Sequence, residues 1–117
     1  MGLPKGHRLK HWRDFKTVYS RGKRCHSKFL VLVAYHAPDE RATQFGISIS
    51  RKVSKKAVVR NKIKRRLRHA CRELLPKSHK GWQLVIIVRT TAVPCEYEHF
   101  LRELKQLLIK AEVFYGH

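Results

Sequence analysis

Three segments of the chain carry hydrophobic residues at the spacing of three or four that is typical of helices. They predict helices over residues 9–21, 55–75 and 95–114, the first ending before Gly22 and the second capped by Ser54. The hydrophobic stripe of each helix would face the core. The three stripes are Trp12, Phe15 and Tyr19; Val59, Ile63, Leu67, Ala70 and Leu74; and Phe100, Leu101, Leu104, Leu107, Leu108 and Ala111.

Other segments have the composition or the alternation of β-strands. Residues 29–35 and 82–89 are apolar almost throughout, and 23–26 form a short candidate strand. Between residues 43 and 50, Phe45, Ile47 and Ile49 alternate with small or polar residues, which would form either a solvent-exposed face or the floor of a shallow groove. The resulting order of helices and strands predicts one α+β domain over residues 1–117, a two-layer α/β sandwich, with residues 1–8 flexible.

Charge changes this picture most in the second helix. The formal net charge of the 117-residue chain is +19, and no acidic residue occurs between Glu40 and Glu73. Over residues 51–72, 11 of the 22 residues are Lys or Arg. Neighbouring like charges on a helix destabilise it, so this surface predicts a polyanionic partner. Nucleic acid is the leading class and an acidic membrane surface the second, while a solvated face is the structural alternative.

Composition also bears on location. No segment approaches the ~20 apolar residues of a membrane span, and the N-terminus lacks an apolar signal core. Cys25, Cys71 and Cys95 are scattered and odd in number, which suits a reducing compartment. We therefore expect a cytoplasmic protein with no membrane association.

Catalytic chemistry by the protein itself is poorly supported. The eight acidic residues form no convergent pair of the kind that would hold two metal ions, and no zinc, phosphate-loop or nucleophile motif is present. We expect no catalytic residue and no metal site in the protein. The alternative of a stand-alone nuclease would use His7, His11 or His69 as general acid and base.

The segment from Ser48 to Arg68 resembles the signature of the bacterial ribonuclease P protein subunit. Its basic helix carries Arg60-Asn61-Lys62 where that family has Arg-Asn-Arg, so the third position keeps its charge and loses the bidentate fork of Arg. The first predicted helix also resembles the family, and the residues that match are Arg8-Leu9, Asp14-Phe15, Val18-Tyr19 and Gly22.

This resemblance implies a fold like the second domain of ribosomal protein S5, with a left-handed β-α-β crossover through the basic helix. It implies an accessory subunit that helps a catalytic RNA to remove the 5′ leader from precursor tRNA. Mg²⁺ would be held mainly by that RNA and the substrate, and no protein partner would be required.

The resemblance also assigns residues to two surfaces. Phe15 and Tyr19 would line a cleft for the single-stranded leader, although their stripe is equally expected for a core. Val31 and Val33 would lie on the floor of the cleft, with Arg51, Lys52 and Lys56 near its rim. The catalytic RNA would contact Arg60, Asn61, Lys62, Lys64, Arg65 and Arg68. A basic structural protein of the ribosome is the alternative function, and the identity of the bound RNA would distinguish the two.

Overall fold

The computed structural model describes residues 3–39 and 41–114. The order of helices and strands is the predicted one. The helices are α1 (Trp12–Arg21), α2 (Ala57–Leu74) and α3 (Tyr97–Lys110), and the strands are β1 (Lys23–His26), β2 (Leu30–His36), β3 (Gln44–Ser48) and β4 (Trp82–Val88).

The four strands form one sheet in the order β1-β2-β4-β3. The β1–β2 and β2–β4 pairs are antiparallel, whereas β3 and β4 are parallel. Parallel neighbours need a crossover connection, and α2 provides it. The predicted α+β class, with the basic helix as the crossing element, is confirmed.

The main hydrophobic core lies between the sheet and the pair α2 and α3. The predicted stripes of both helices face it: Ile63, Leu67 and Leu104 are buried there against strand residues that include Leu32 and Ile86. Because successive side chains of a strand point to opposite faces, Val33 and Val85 lie on the other face of the sheet.

Helix α1 packs on that second face. Val18 is buried there with Leu9, Val33 and Val85 in a smaller core, which Phe15 flanks. One helix of 10 residues covers only part of a four-stranded sheet, so this face stays partly open along the side of α1.

All three helices begin two or three residues later than predicted, at Trp12, Ala57 and Tyr97. Ser54 does not cap α2, which begins at Ala57 without a side-chain cap; the Ser54 hydroxyl instead accepts a hydrogen bond from the Lys56 N–H at 3.2 Å. Helix α3 begins at Tyr97, where Glu96 and His99 form a reciprocal capping box. These polar contacts within the preceding loops, rather than the hydrophobic stripes, decide where the helices begin.

The prediction that residues 1–8 are flexible is corrected for residues 3–8. Leu3 is 2% exposed and belongs to the main core. His7 Nδ1 lies 2.7 Å from the Thr43 carbonyl oxygen, and Arg8 forms a β-bridge to Phe45. This segment therefore lies along the outer edge of β3. Met1 and Gly2 are outside the described residues.

Helix α2 has 18 residues and a strongly basic surface. Across residues 3–39 and 41–114, no helix combines the length and the apolarity needed to cross a membrane.

Candidate nucleic-acid interface

A groove of about 740 Å³ runs beside α1 on the partly open face of the sheet. Its volume is within the range of ligand-binding sites in proteins. Helix α1 and the residues just before it form one side, and the end of β3 contributes to the other. The lining residues are Lys10, Trp12, Phe15, Lys16, Tyr19, Ser20, Ile47 and Ser48.

Phe15 and Tyr19 both line the groove and both pack on the smaller core. Their ring centroids are 6.4 Å apart, and the rings are tilted by 46°. The guanidinium of Arg24 lies 5.9 Å from the Tyr19 ring centroid, within the range of cation–π attraction. The core role and the cleft-lining role predicted for Phe15 and Tyr19 are therefore compatible: one part of each ring packs on the core, and another part faces the groove.

Gly46 on β3 determines how closely Phe15 approaches the sheet. A Cβ atom at Gly46 would lie 2.6 Å from Phe15 Cζ and 3.1 Å from Leu9 Cβ. The predicted face of small residues on β3 is thus the surface on which the Phe15 ring rests. Ser48, two residues further along the same face, lines the groove.

Val33, which is predicted to lie on the floor of the cleft, is buried and does not line the groove. Its side chain is 0% exposed, because α1 covers it in the smaller core. Val31 is 9% exposed and pairs across the sheet with Ile87, which in turn pairs with Ser48. Neither valine lines the groove, and the strand residues that do are the half-buried Ile47 and Ser48 of β3.

The predicted rim residues Arg51, Lys52 and Lys56 are all exposed. Arg51 follows Ser48 by three residues, so its Cα lies within about 11 Å of the end of the groove. Lys52 N–H donates a hydrogen bond to the Ser50 hydroxyl at 3.3 Å in the turn that leaves β3. The position of Arg51 near the end of the groove fits its predicted role, and the roles of Lys52 and Lys56 stay predictions.

The residues predicted to face a catalytic RNA lie on α2. Asn61, Lys62, Arg65 and Arg68 are exposed, while Arg60 and Lys64 are half-buried. Arg60 Nη1 donates to the Ser54 carbonyl at 2.8 Å and so ties the helix to the loop before it. Arg60, Lys64 and Arg68 follow one another at steps of four, a spacing at which like charges repel. An anion bound to this surface would relieve that repulsion.

Arg66 differs from the other basic residues of α2. Its Nη1 donates to the Cys95 carbonyl at 2.8 Å, and its Nη2 lies 3.5 Å from Glu96 Oε1. Among the ion pairs of the described residues, only the Arg66–Glu96 pair involves a basic residue of α2. Arg66 therefore joins α2 to the start of α3.

Groove residues that sequence reasoning missed include Trp12, Lys16 and Ser20, a row at steps of four beside Phe15 and Tyr19. This spacing was a usable signal, because i and i+4 residues share a helix face. Trp12 is 65% exposed, unlike the rest of its predicted core stripe, and Arg13 lies over its ring at 5.5 Å. Lys10, Ile47 and Ser48 reach the groove only through the tertiary fold.

Within residues 3–39 and 41–114, no group of three or more His, Cys, Asp or Glu side chains is placed to hold a metal ion. His7 lies near the Thr43 carbonyl, whereas the His69 ring packs 4.8 Å from the Tyr97 ring. Burial raises the pKa of the Cys71 thiol far above its ordinary value, which keeps it protonated and unreactive.

Comparison with known proteins gives consistent matches. A family model described as Ribonuclease P matches residues 3–112. The chain is 67% identical over 117 residues to the ribonuclease P protein component of Picosynechococcus sp., with 100% of both chains covered. It is 57% identical over 120 residues to that of Microcystis aeruginosa, again with 100% of both covered. The fold is similar to the solved structure of Staphylococcus aureus RNase P protein, with a TM-score of 0.85 at 27% identity, covering 95% of this chain and 100% of that one.

Proposed function

We propose that this chain, which belongs to the ribonuclease P protein family, binds RNA while the ribonuclease P RNA performs the cleavage. Membership of that family makes the chain a tRNA-processing subunit of an endoribonuclease complex that contains the ribonuclease P RNA. The groove beside α1 would bind the single-stranded 5′ leader of precursor tRNA. The exposed basic surface of α2 would bind the catalytic RNA. A structural role in the ribosome is not favoured by these matches.

The groove has the properties that unpaired RNA requires. Trp12, Phe15 and Tyr19 offer aromatic surface on which bases stack, and Lys10 and Lys16 place positive charge along the same groove. Base stacking on aromatic residues is tolerant of sequence, which suits leaders that differ between tRNA precursors. This convergence of aromatic rings and lysines beside an open sheet face is the observation that carries the proposal.

The basic surface of α2 suits a larger, folded RNA. Lys62 and Arg65 are exposed, and neither takes part in the ion pairs of the described residues. Helices α1 and α2 pack on opposite faces of the sheet. The protein would therefore contact the leader on one face and the catalytic RNA on the other, neutralising phosphates where the two RNAs approach each other.

We propose that Mg²⁺ is held mainly by the catalytic RNA and the substrate. A protein-held pair of Mg²⁺ ions would require convergent carboxylates. Two of the acidic residues instead serve the structure: Glu96 caps α3, and Asp39 pairs with Arg41 at 2.7 Å. The protein would act on metal occupancy only indirectly, by reducing repulsion between phosphates.

Cleavage of labelled precursor tRNA tests the proposal directly. We compare a ribonuclease P RNA alone, the protein alone and the two together, each over a range of Mg²⁺ concentrations. The protein alone should leave the precursor intact, and its addition to the RNA should lower the Mg²⁺ concentration needed for cleavage. Mature-length product from the protein alone would contradict the accessory role, and would support the alternative of a protein nuclease.

A further inference from the structure

A second cavity, of about 230 Å³, lies at the outer edge of β3. It shares Lys10, Phe15 and Ile47 with the groove, so the two spaces are neighbours. Arg68 of α2 also lines it. Helix α2 and the groove lie on opposite faces of the sheet, and at this cavity a residue of α2 comes next to the groove.

Three cationic side chains from separate parts of the chain meet there: Arg8, Lys10 and Arg68. None of the described residues that line the cavity is acidic. Arg8 Nε donates to the Leu3 carbonyl at 2.6 Å, which fixes its guanidinium at the cavity wall. Three positive charges gathered without an acidic partner favour the binding of an anion.

The edge of β3 adds a backbone donor. Leu9 N–H donates to the Phe45 carbonyl at 2.9 Å, which shows that the peptide groups of Phe45 point away from β4. Residues two apart on a strand have the same orientation, so the Ile47 N–H also points outward, beyond the short segment that covers the edge at Phe45. Ile47 lines both cavities, and an outward N–H is a suitable donor to a phosphate oxygen.

We infer that this cavity binds one phosphodiester group of the RNA strand in the groove, held by Lys10 and Arg68 and adjoining the base that stacks on Phe15. The inference rests on the proposed function. A strand leaving the groove past Phe15 meets the cavity next, because the two spaces share that residue. Arg68 then contacts the leader instead of the catalytic RNA. Lys62 and Arg65, on the exposed side of α2, keep their predicted contacts with the catalytic RNA.

The test measures binding of a short, unpaired, fluorescently labelled RNA to the full chain without catalytic RNA, by anisotropy over a range of salt concentrations. Lys10→Gln and Arg68→Gln should each weaken binding about tenfold, the effect expected for a lost charge-assisted hydrogen bond. Arg72→Gln, the same charge change one turn further along α2, is the matched control and should bind within about twofold of the original chain.

The double variant K10Q/R68Q distinguishes one phosphate from two. Each phosphate neutralised on a single strand contributes about 0.7 to the slope of log K against log salt. A shared phosphate predicts that the double variant lowers the slope by about 0.7, whereas two separate phosphates predict about 1.4. Arg68→Lys keeps the charge and should keep the slope while losing part of the affinity.

Two results would overturn the shared phosphate site, provided that the original chain binds the oligonucleotide. The first is equal binding by R68Q and R72Q, and the second is a slope change of about 1.4 in the double variant. Failure of the original chain to bind that RNA, together with no effect on precursor cleavage, would overturn the proposed function and this site with it. Both substituted side chains are exposed, and melting curves check that the variants are folded.

Discussion

The ring of Phe15 on α1 rests directly on Gly46 of β3, where a Cβ atom would lie 2.6 Å from Phe15 Cζ and 2.8 Å from Cε1. This contact sets how closely α1 approaches the sheet. It also sets the position of a ring that both supports the smaller core and lines the groove. The stability of the protein and the shape of the groove therefore depend on the same pair of residues.

Gly46→Ala should destabilise the protein by about 1–3 kcal/mol, because the added methyl group displaces the Phe15 ring and with it α1. Chemical denaturation measures the free energy of unfolding. Gly6→Ala is the matched control, since nothing lies within 4 Å of a Cβ there, and it should be neutral or slightly stabilising. Phe15→Leu in the Gly46→Ala background should cost less stability than it does alone. Simple additivity of the two substitutions would contradict the contact.

Trp12→Ala should weaken binding of precursor tRNA to the holoenzyme by about 1–3 kcal/mol through loss of stacking, and leave mature tRNA unaffected. The 65% exposure of Trp12 implies a small effect on the melting temperature. Val58→Ala, which removes apolar surface that is 76% exposed on α2, is the control and should not change the preference for precursor. Parallel losses for both tRNAs would place Trp12 outside the leader path.

Lys62→Gln combined with Arg65→Gln should flatten the salt dependence of binding to the catalytic RNA by about 1.8 in log K against log salt, if each residue neutralises one phosphate of a structured RNA. Filter binding at several salt concentrations gives this slope. Lys105→Gln with Lys110→Gln makes the same charge change on the exposed surface of α3. Identical slopes for the two pairs would show only a general effect of net charge.

Arg66→Met should lower the free energy of unfolding by about 1–3 kcal/mol, because it leaves the Cys95 carbonyl without the Arg66 donor at 2.8 Å. The pair with Glu96 contributes little, since that carboxylate is largely exposed. Arg72→Met, an exposed position on the same helix, should be nearly neutral. If both variants unfold at the same denaturant concentration, Arg66 does not stabilise the contact between α2 and α3.

Stability should fall at alkaline pH, in part because of Cys71. Burial raises the pKa of this thiol from its ordinary value of 9.0, so the folded state holds the proton more tightly than the unfolded state. The contribution is fully present below pH 9.0 and is lost as the pH rises toward the folded pKa, at up to about 1.4 kcal/mol per pH unit. Cys71→Val should make the decline above pH 9 shallower when unfolding is measured by circular dichroism, and Cys25→Val serves as the comparison. An equally steep decline in the Cys71 variant would contradict this origin.

The sequence by itself determined the helices, the strands and the family resemblance. The stripes of α2 and α3 rest on residues three or four apart, and the alternation along β3 on residues two apart. Local geometry alone brings such residues together. The 11 basic residues between positions 51 and 72 likewise indicated an RNA partner without any knowledge of the fold.

The tertiary structure alone decided which residues meet. The burial of Val33 beneath α1 and the tether from Arg66 to Cys95 could not be obtained from spacing. Neither could the meeting of Arg8 with Arg68 at one cavity, 60 positions apart in the chain. Each depends on where one element packs against another, which is the outcome of many weak non-local contacts acting together. For the groove, that outcome follows from the absence of a side chain at Gly46, which lets the Phe15 ring and α1 lie close to the sheet.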